Sequence, residues 1–133
     1  MIEFVTLYKS LSPVQLAQVV ASGWKAFPVS EPDQRVFAPK LHREYAEMLA
    51  RQLEMANYQA GYVVMFKLKR EFAEQFECET IGYREHEEYR IPVSALGRLN
   101  DAIVGRIELI SGFAALAGEN WQAIGVSQYV GYH

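Results

Sequence analysis

The residues whose types could do chemistry fall in three places. The densest is Glu85-His86-Glu87-Glu88. In an extended strand His86 and Glu88 share one face, and Glu85 and Glu87 take the other. A histidine beside a carboxylate can hold one tautomer, act as a base, or contribute to a metal site. Two such side chains are too few for a metal unless His42 or a further acid joins them, and no metal site is expected. On spacing alone, a charge run of this density reads as a solvated turn between two strands.

The second place is Tyr8-Lys9-Ser10, at the end of the first strand-like segment. Strand ends commonly present side chains to a cleft. There Lys9 could meet an anion such as a phosphate, and Ser10 could donate a hydrogen bond. The plainer reading is a surface lysine and a serine at a helix entry. The third is Tyr45, on the clearest helix of the chain. Its register says core, and its hydroxyl requires a partner or water. His42 lies off the apolar stripe of that helix, so an exposed position is expected. His133 is terminal. Cys78 has no second cysteine to pair with and reads as a half-buried small residue rather than a nucleophile. The chain has no Gly-rich phosphate loop, no Gly-x-Ser-x-Gly and no His-Glu-x-x-His.

The elements that must position these residues follow from periodicity. Glu3 to Tyr8 reads as a buried strand. Ser12, Pro13 and Gln15 form the start of a helix, with Ser12 and Gln15 as a capping box. Leu16, Val19 and Val20 fall on one face of that helix, and Gly23 stops it. Trp24 to Phe27 reads as a short strand, and Pro28 to Gln34 as loop. Arg35 to Ala38 is a short strand ended by Pro39. A helix is expected from Lys40, with Leu41, Tyr45, Met48, Leu49, Leu53 and Ala56 inward. Gly61 to Leu68 is apolar on both faces, the pattern of a central strand. Arg70 to Phe76 suggests a helical turn or two with Phe72 and Phe76 inward. Glu77 to Tyr83 and Tyr89 to Ile91 read as strands, with Pro92 ending the second. Ser94 to Val104 reads as a helix around Leu96, Leu99 and Ile103. Arg106 to Ile110 alternates as a half-buried strand. The tail from Gly112 to His133 either covers the core or pairs with another chain. Strands outnumber helices and are interrupted irregularly, an α+β pattern rather than repeated βαβ units. The expectation is a single domain over residues 1–133, with mixed or antiparallel sheets and three main helices.

Composition bounds the rest. The chain has 133 residues, a net charge of −3 and one cysteine. Its length suits one domain, since domains usually run about 100–150 residues. Leu, Ile, Val and Phe number 37, too many for a disordered chain. The single cysteine rules out an internal disulfide framework. The negative charge and a pI near 5.6 argue against a nucleic-acid module. No apolar run approaches the roughly 20 residues that span a bilayer, and Met1-Ile2-Glu3-Phe4 does not open a signal peptide. A soluble, cytoplasmic protein is the expectation.

These segments together resemble the ADP-ribosyltransferase-like superfamily, in particular its small bacterial members of unassigned role. The family opens on a strand of the type Leu-Tyr-Arg-Gly or Leu-Tyr-His followed by a helix. Leu7-Tyr8-Lys9-Ser10, then Ser12-Pro13, is similar. A Phe-Ala-like strand end followed by a helix carrying a tyrosine is matched by Phe37-Ala38-Pro39 and Tyr45. A later strand in the family carries a glutamate, for which Glu88 in Glu87-Glu88-Tyr89-Arg90-Ile91-Pro92 is the counterpart. Leu99 to Glu108 also resembles the late helix and strand of the small members. The resemblance spans most of residues 3 to 110 on short, loose motifs. Lys9 stands where the family has Arg or His, and no Ser-Thr-Ser segment is present.

The resemblance implies a split β-sandwich that binds NAD. It implies Glu88 as the catalytic carboxylate on the nicotinamide ribose, with His86 assisting on the same face. Tyr45 would stack on nicotinamide, Lys9 would meet the pyrophosphate or ribose, and Tyr8, Ser10 and Phe37 would complete the cofactor site. The expected activity is transfer of ADP-ribose to a protein target, in the manner of a toxin-type effector. The alternative is a non-catalytic binding or immunity-type module on the same fold, with 17 aromatic residues to furnish an interface. A homodimer through the Val126 to Tyr132 tail is a further expectation.

Overall fold

The computed structural model describes residues 2–29, 34–82, 86–115 and 121–124. The chain begins with β1 (Phe4–Leu11) and α1 (Pro13–Ala21). Both members of the capping box form. The Gln15 backbone N–H donates to Ser12 Oγ at 3.2 Å, and the Ser12 N–H donates to Gln15 Oε1 at 2.9 Å. Two otherwise orphaned donors are thereby satisfied, and Pro13 sets the first turn. Trp24 to Phe27 is not a strand. The chain turns there, with Gly23 and Trp24 both in the left-handed region. Hydrogen bonds fix the turn: the Phe27 N–H donates to Asn100 Oδ1 at 2.8 Å, and Asn100 Nδ2 donates back to the Phe27 carbonyl at 3.0 Å.

β2 (Val36–Phe37) is short, and the next helix starts later than its apolar spacing suggests. Lys40 is extended, and α2 runs Arg43–Leu49 with His42 at its N-cap. The helix then changes hand-count. Ala50–Glu54 is a π segment, after which α3 (Met55–Tyr58) resumes the ordinary spacing. The π turn carries an extra residue and rotates everything beyond it. That rotation explains why Leu53, expected inward, is 53% exposed, and why Ala56 also faces water. Tyr45 and Ala46, before the π turn, are buried as expected.

β3 (Ala60–Lys69) lies between β1 and a long final strand, β6 (Ile103–Ala115), antiparallel to both. Its central place accounts for its two apolar faces. Tyr62, Val64, Phe66 and Leu68 enter the main core with Leu7, Leu16, Val19 and Ile107. Val63 points the other way, to Ala46, Ala50 and Phe113. The turn α4 (Arg70–Ala73) buries Phe72. β4 (Glu77–Thr80) pairs antiparallel with β5 (Glu87–Pro92). Residues 94–104 are not one helix. A 3₁₀ turn, Val93–Ala95, leads into the short α5 (Leu96–Asp101), and Ile103 and Val104 already belong to β6. β6 extends past Ile110 and pairs with β7 (Trp121–Ile124).

The result is an α+β architecture of two antiparallel sheets, in the orders β1-β3-β6-β7 and β2-β5-β4. α2 and the π segment cover one face of the larger sheet through Ala46 and Ala50. The other face packs with α1, α5 and the smaller sheet, which contributes Phe37 and Ile91. No helix among the described residues is long and apolar enough to cross a membrane. The Val126 to Tyr132 tail and His133 lie outside the described residues.

Candidate functional site

One residue joins the two sheets. Lys40 forms an antiparallel bridge to Tyr8 on β1 and another to Glu88 on β5. The Tyr8 N–H donates to the Lys40 carbonyl at 2.8 Å, and the Lys40 N–H donates to the Tyr8 carbonyl at 2.6 Å. On the other side, the Leu41 N–H donates to the Glu87 carbonyl and the Tyr89 N–H to the Pro39 carbonyl, both at 3.0 Å. Pro39 lacks a donor of its own but leaves its carbonyl free for this use. The seam between the sheets is therefore a three-residue strip of chain, and the chemistry-bearing side chains gather on it.

Glu88 is the centre. It is only 5% exposed, so the solvated-turn reading fails at this residue. Its position in β5 turns it from solvent, toward α2. Oε1 accepts from Lys40 Nζ at 2.7 Å and from the Tyr45 hydroxyl at 3.2 Å. Oε2 accepts from Arg90 Nη1 at 3.0 Å. A carboxylate offers about four lone-pair sites, so among the described residues one is left for a further donor. Arg90, two residues along the same strand face, also reaches Glu79 at 3.8 Å. It thus lies between two acids that face each other across β4 and β5.

Two groups contact the Tyr45 ring. His86 stacks on its ring at 4.4 Å between centroids and 9° between planes. Lys40 Nζ sits 5.2 Å from the same ring centroid, a cation–π distance. Burial, reinforced by the charge and hydrogen bond of Glu88, raises the hydroxyl above its ordinary pKa. Tyr45 therefore stays a neutral donor to Glu88. His42 is not simply free in water: its Nε2 lies 3.0 Å from Glu87 Oε1, on the same seam.

Lys9 approaches from β1. It is half-buried, and its Nζ donates to the Ser10 carbonyl at 3.2 Å and lies 5.6 Å from the Phe37 ring centroid. Its pKa is lowered to about 8, first by burial and then by the charge of Lys40; Glu54 and Glu88 act in the opposite sense. Lys40 is also lowered from its ordinary value, because burial outweighs the hydrogen bond and charge of Glu88. The π segment supplies Glu54 to this group. Lys9, Lys40 and Arg90 face Glu54, Glu79, Glu87 and Glu88, so the group is densely charged without a positive excess.

The structure thus brings together Glu88, His86 and Tyr45, while Lys9 contacts the Ser10 carbonyl and the Phe37 ring. Ser10 is buried, and Tyr8 is half-buried against the Ala46 and Ala50 cluster. Phe37 sits in the main core, 5.0 Å from Phe27 between centroids. Glu85 lies outside the described residues. Cys78 is exposed rather than half-buried. Its thiol pKa is raised by partial burial and by Glu87 and Glu88, which lowers its thiolate fraction. Sequence reasoning missed Lys40, Arg90 and Glu54. Arg90 was within reach of it, since strand alternation places residues 88 and 90 on one face. Lys40 was assigned to the start of a helix, and Glu54 falls within that helix without being singled out. Comparison with protein-family models, curated proteins and solved structures finds no match to this chain.

Proposed function

We propose that the chain is an ADP-ribosyltransferase-like domain that binds NAD across the seam of its two sheets. The observation that carries this reading is the convergence of Glu88, Tyr45 and Lys40 on the strip between β1 and β5, with Lys9 on β1 near enough for its charge to act on Lys40. In such a complex Lys9 meets the diphosphate. Glu88 offers its remaining lone pair to a ribose hydroxyl. As the bond from ribose to nicotinamide breaks, positive charge develops on the sugar, and the Glu88 carboxylate stabilises it. Nicotinamide stacks on Tyr45 only if it displaces His86, so binding is coupled to movement of the Glu87 end of β5.

A second reading, a binding module without transfer, is favoured by the occupancy of Glu88. Three of its lone-pair sites already serve Lys40, Tyr45 and Arg90.

Calorimetric titration with NAD, ADP-ribose and inorganic pyrophosphate tests both, on the wild type, Glu88→Gln and Lys9→Met. Saturable NAD binding with slow release of nicotinamide, the release lost in Glu88→Gln, supports the enzyme. Binding that Lys9→Met weakens, with no nicotinamide released, supports the module. Absence of heat with all three ligands overturns both.

A further inference from the structure

We propose that the outer edge of β4 docks an extended basic segment of a partner protein, which adds to the smaller sheet as a further antiparallel strand. β4 stands at the end of that sheet and pairs with β5 alone. The Ile81 N–H donates to the His86 carbonyl at 2.7 Å, so the main-chain groups of Glu77, Glu79 and Ile81 turn toward β5. Alternation then turns the N–H and C=O groups of Cys78 and Thr80 outward. No partner meets them among the described residues. Two donors and two acceptors therefore line an open edge. The strand has no proline and no register break to block pairing.

Side chains select the occupant. Glu77 and Glu79 share one face of β4. Glu77 is exposed, and the Glu79 side chain is 43% exposed. Arg90 on β5 is shared between Glu79 and Glu88, and Glu77 has no ion pair among the described residues. A second copy of the chain is a poor occupant. Antiparallel pairing of β4 with itself sets these glutamates against each other, and like charges placed opposite destabilise a ladder. Residues 125–133 hold no Lys or Arg, so they do not supply the complement either. A segment with Lys or Arg at alternate positions does. Its basic side chains lie opposite Glu77 and Glu79, while its main chain takes the four free groups of Cys78 and Thr80. Docking here does not depend on NAD. The added strand runs two strand spacings, about 10 Å, from β5 and its Glu88.

The test adds an end-blocked hexapeptide, lysine alternating with valine, to the ¹⁵N-labelled full chain and follows amide hydrogen exchange by NMR. Exchange should slow at the Cys78 and Thr80 amides and stay unchanged at Glu77 and Glu79, whose N–H groups already face β5. Glu77→Gln combined with Glu79→Gln should weaken binding about fivefold, with the amides of β3 exchanging as in the wild type to report an intact fold. The same peptide N-methylated at its valines, whose N–H groups face β4, should not bind, because the ladder loses its donors. A peptide alternating glutamate with valine should not bind either. Four results would each overturn the proposal: Cys78 and Thr80 amides already protected without peptide, no protection by the lysine peptide, equal binding of the acidic or N-methylated peptide, or binding indifferent to the double variant.

Discussion

Lys40 Nζ and Glu88 Oε1 lie 2.7 Å apart, with side chains 9% and 7% exposed, on residues that are also bonded through the backbone bridge. A pair this enclosed is asymmetric in its energetics. Desolvating two charges offsets much of their attraction, whereas removing one partner strands the other.

Lys40→Met should therefore destabilise the fold by about 3–5 kcal/mol, measured by urea unfolding. Glu88→Leu in the same background should recover much of the loss, because no buried charge then remains unmatched on that bond. A double variant no more stable than Lys40→Met would show that Arg90 and Lys9, rather than Lys40, hold Glu88 in balance.

Tyr45→Phe keeps the ring against His86 and Lys40 and deletes one donor to a buried carboxylate. The expected loss is about 1.5–3 kcal/mol, the range for a hydrogen bond to a charged group. Thermal unfolding should show it as a lowered Tm. A neutral effect would mean that water or another donor replaces the hydroxyl.

The pH dependence follows from Lys9. Its pKa is about 8 in the fold against an ordinary 10.5. Between those values the unfolded chain binds more protons, so this group makes stability rise with pH across that window and contributes a constant below it. Lys40, lowered in the same direction, adds to the rise. Cys78, raised from 9.0, and Tyr45, raised from 10.0, oppose it at the alkaline end. The urea midpoint should thus climb from pH 8 to 9, and Lys9→Met should flatten the climb. An equal slope in the variant would remove Lys9 as its source.

Gly61 is the point of closest approach between β3 and the π segment. A Cβ there would overlap the Ala50 carbonyl oxygen and stand 2.8 Å from Glu54 Cβ. Gly61→Ala should cost roughly 2–3 kcal/mol or more by overpacking. Gly97→Ala meets nothing within 4 Å and serves as the control expected to be near neutral or stabilising.

The α+β class, the capping box, the central place of β3 and the inward Phe72 were legible because each rests on local spacing or on a local hydrogen bond. Glu88, Tyr45 and Lys9 were singled out by residue type and resemblance. Their mutual geometry was not readable, because it depends on Lys40 lying extended between two sheets. The same apolar spacing that marks a helix from Leu41 onward gives no sign that the first turn is replaced by cross-sheet bonds. The exposure of Leu53 was hidden for a related reason, since a π turn leaves no mark in a 3.6-residue pattern. Trp24 to Phe27 has strand composition, but Gly23 and the bonds to Asn100 override it.

The π segment also has a consequence for chain length. A helix with one residue fewer in the 51–54 stretch could close as an uninterrupted α-helix, because the π turn absorbs one extra residue. The residue removed and the turn removed cancel, so α3 would keep the faces it holds now. A single-codon deletion here should accordingly keep the helix content, whereas the same deletion inside α1 would swing every later residue of that helix by about 100°. This helix carries a spare residue, a place where the gene can shorten without moving the strand that follows.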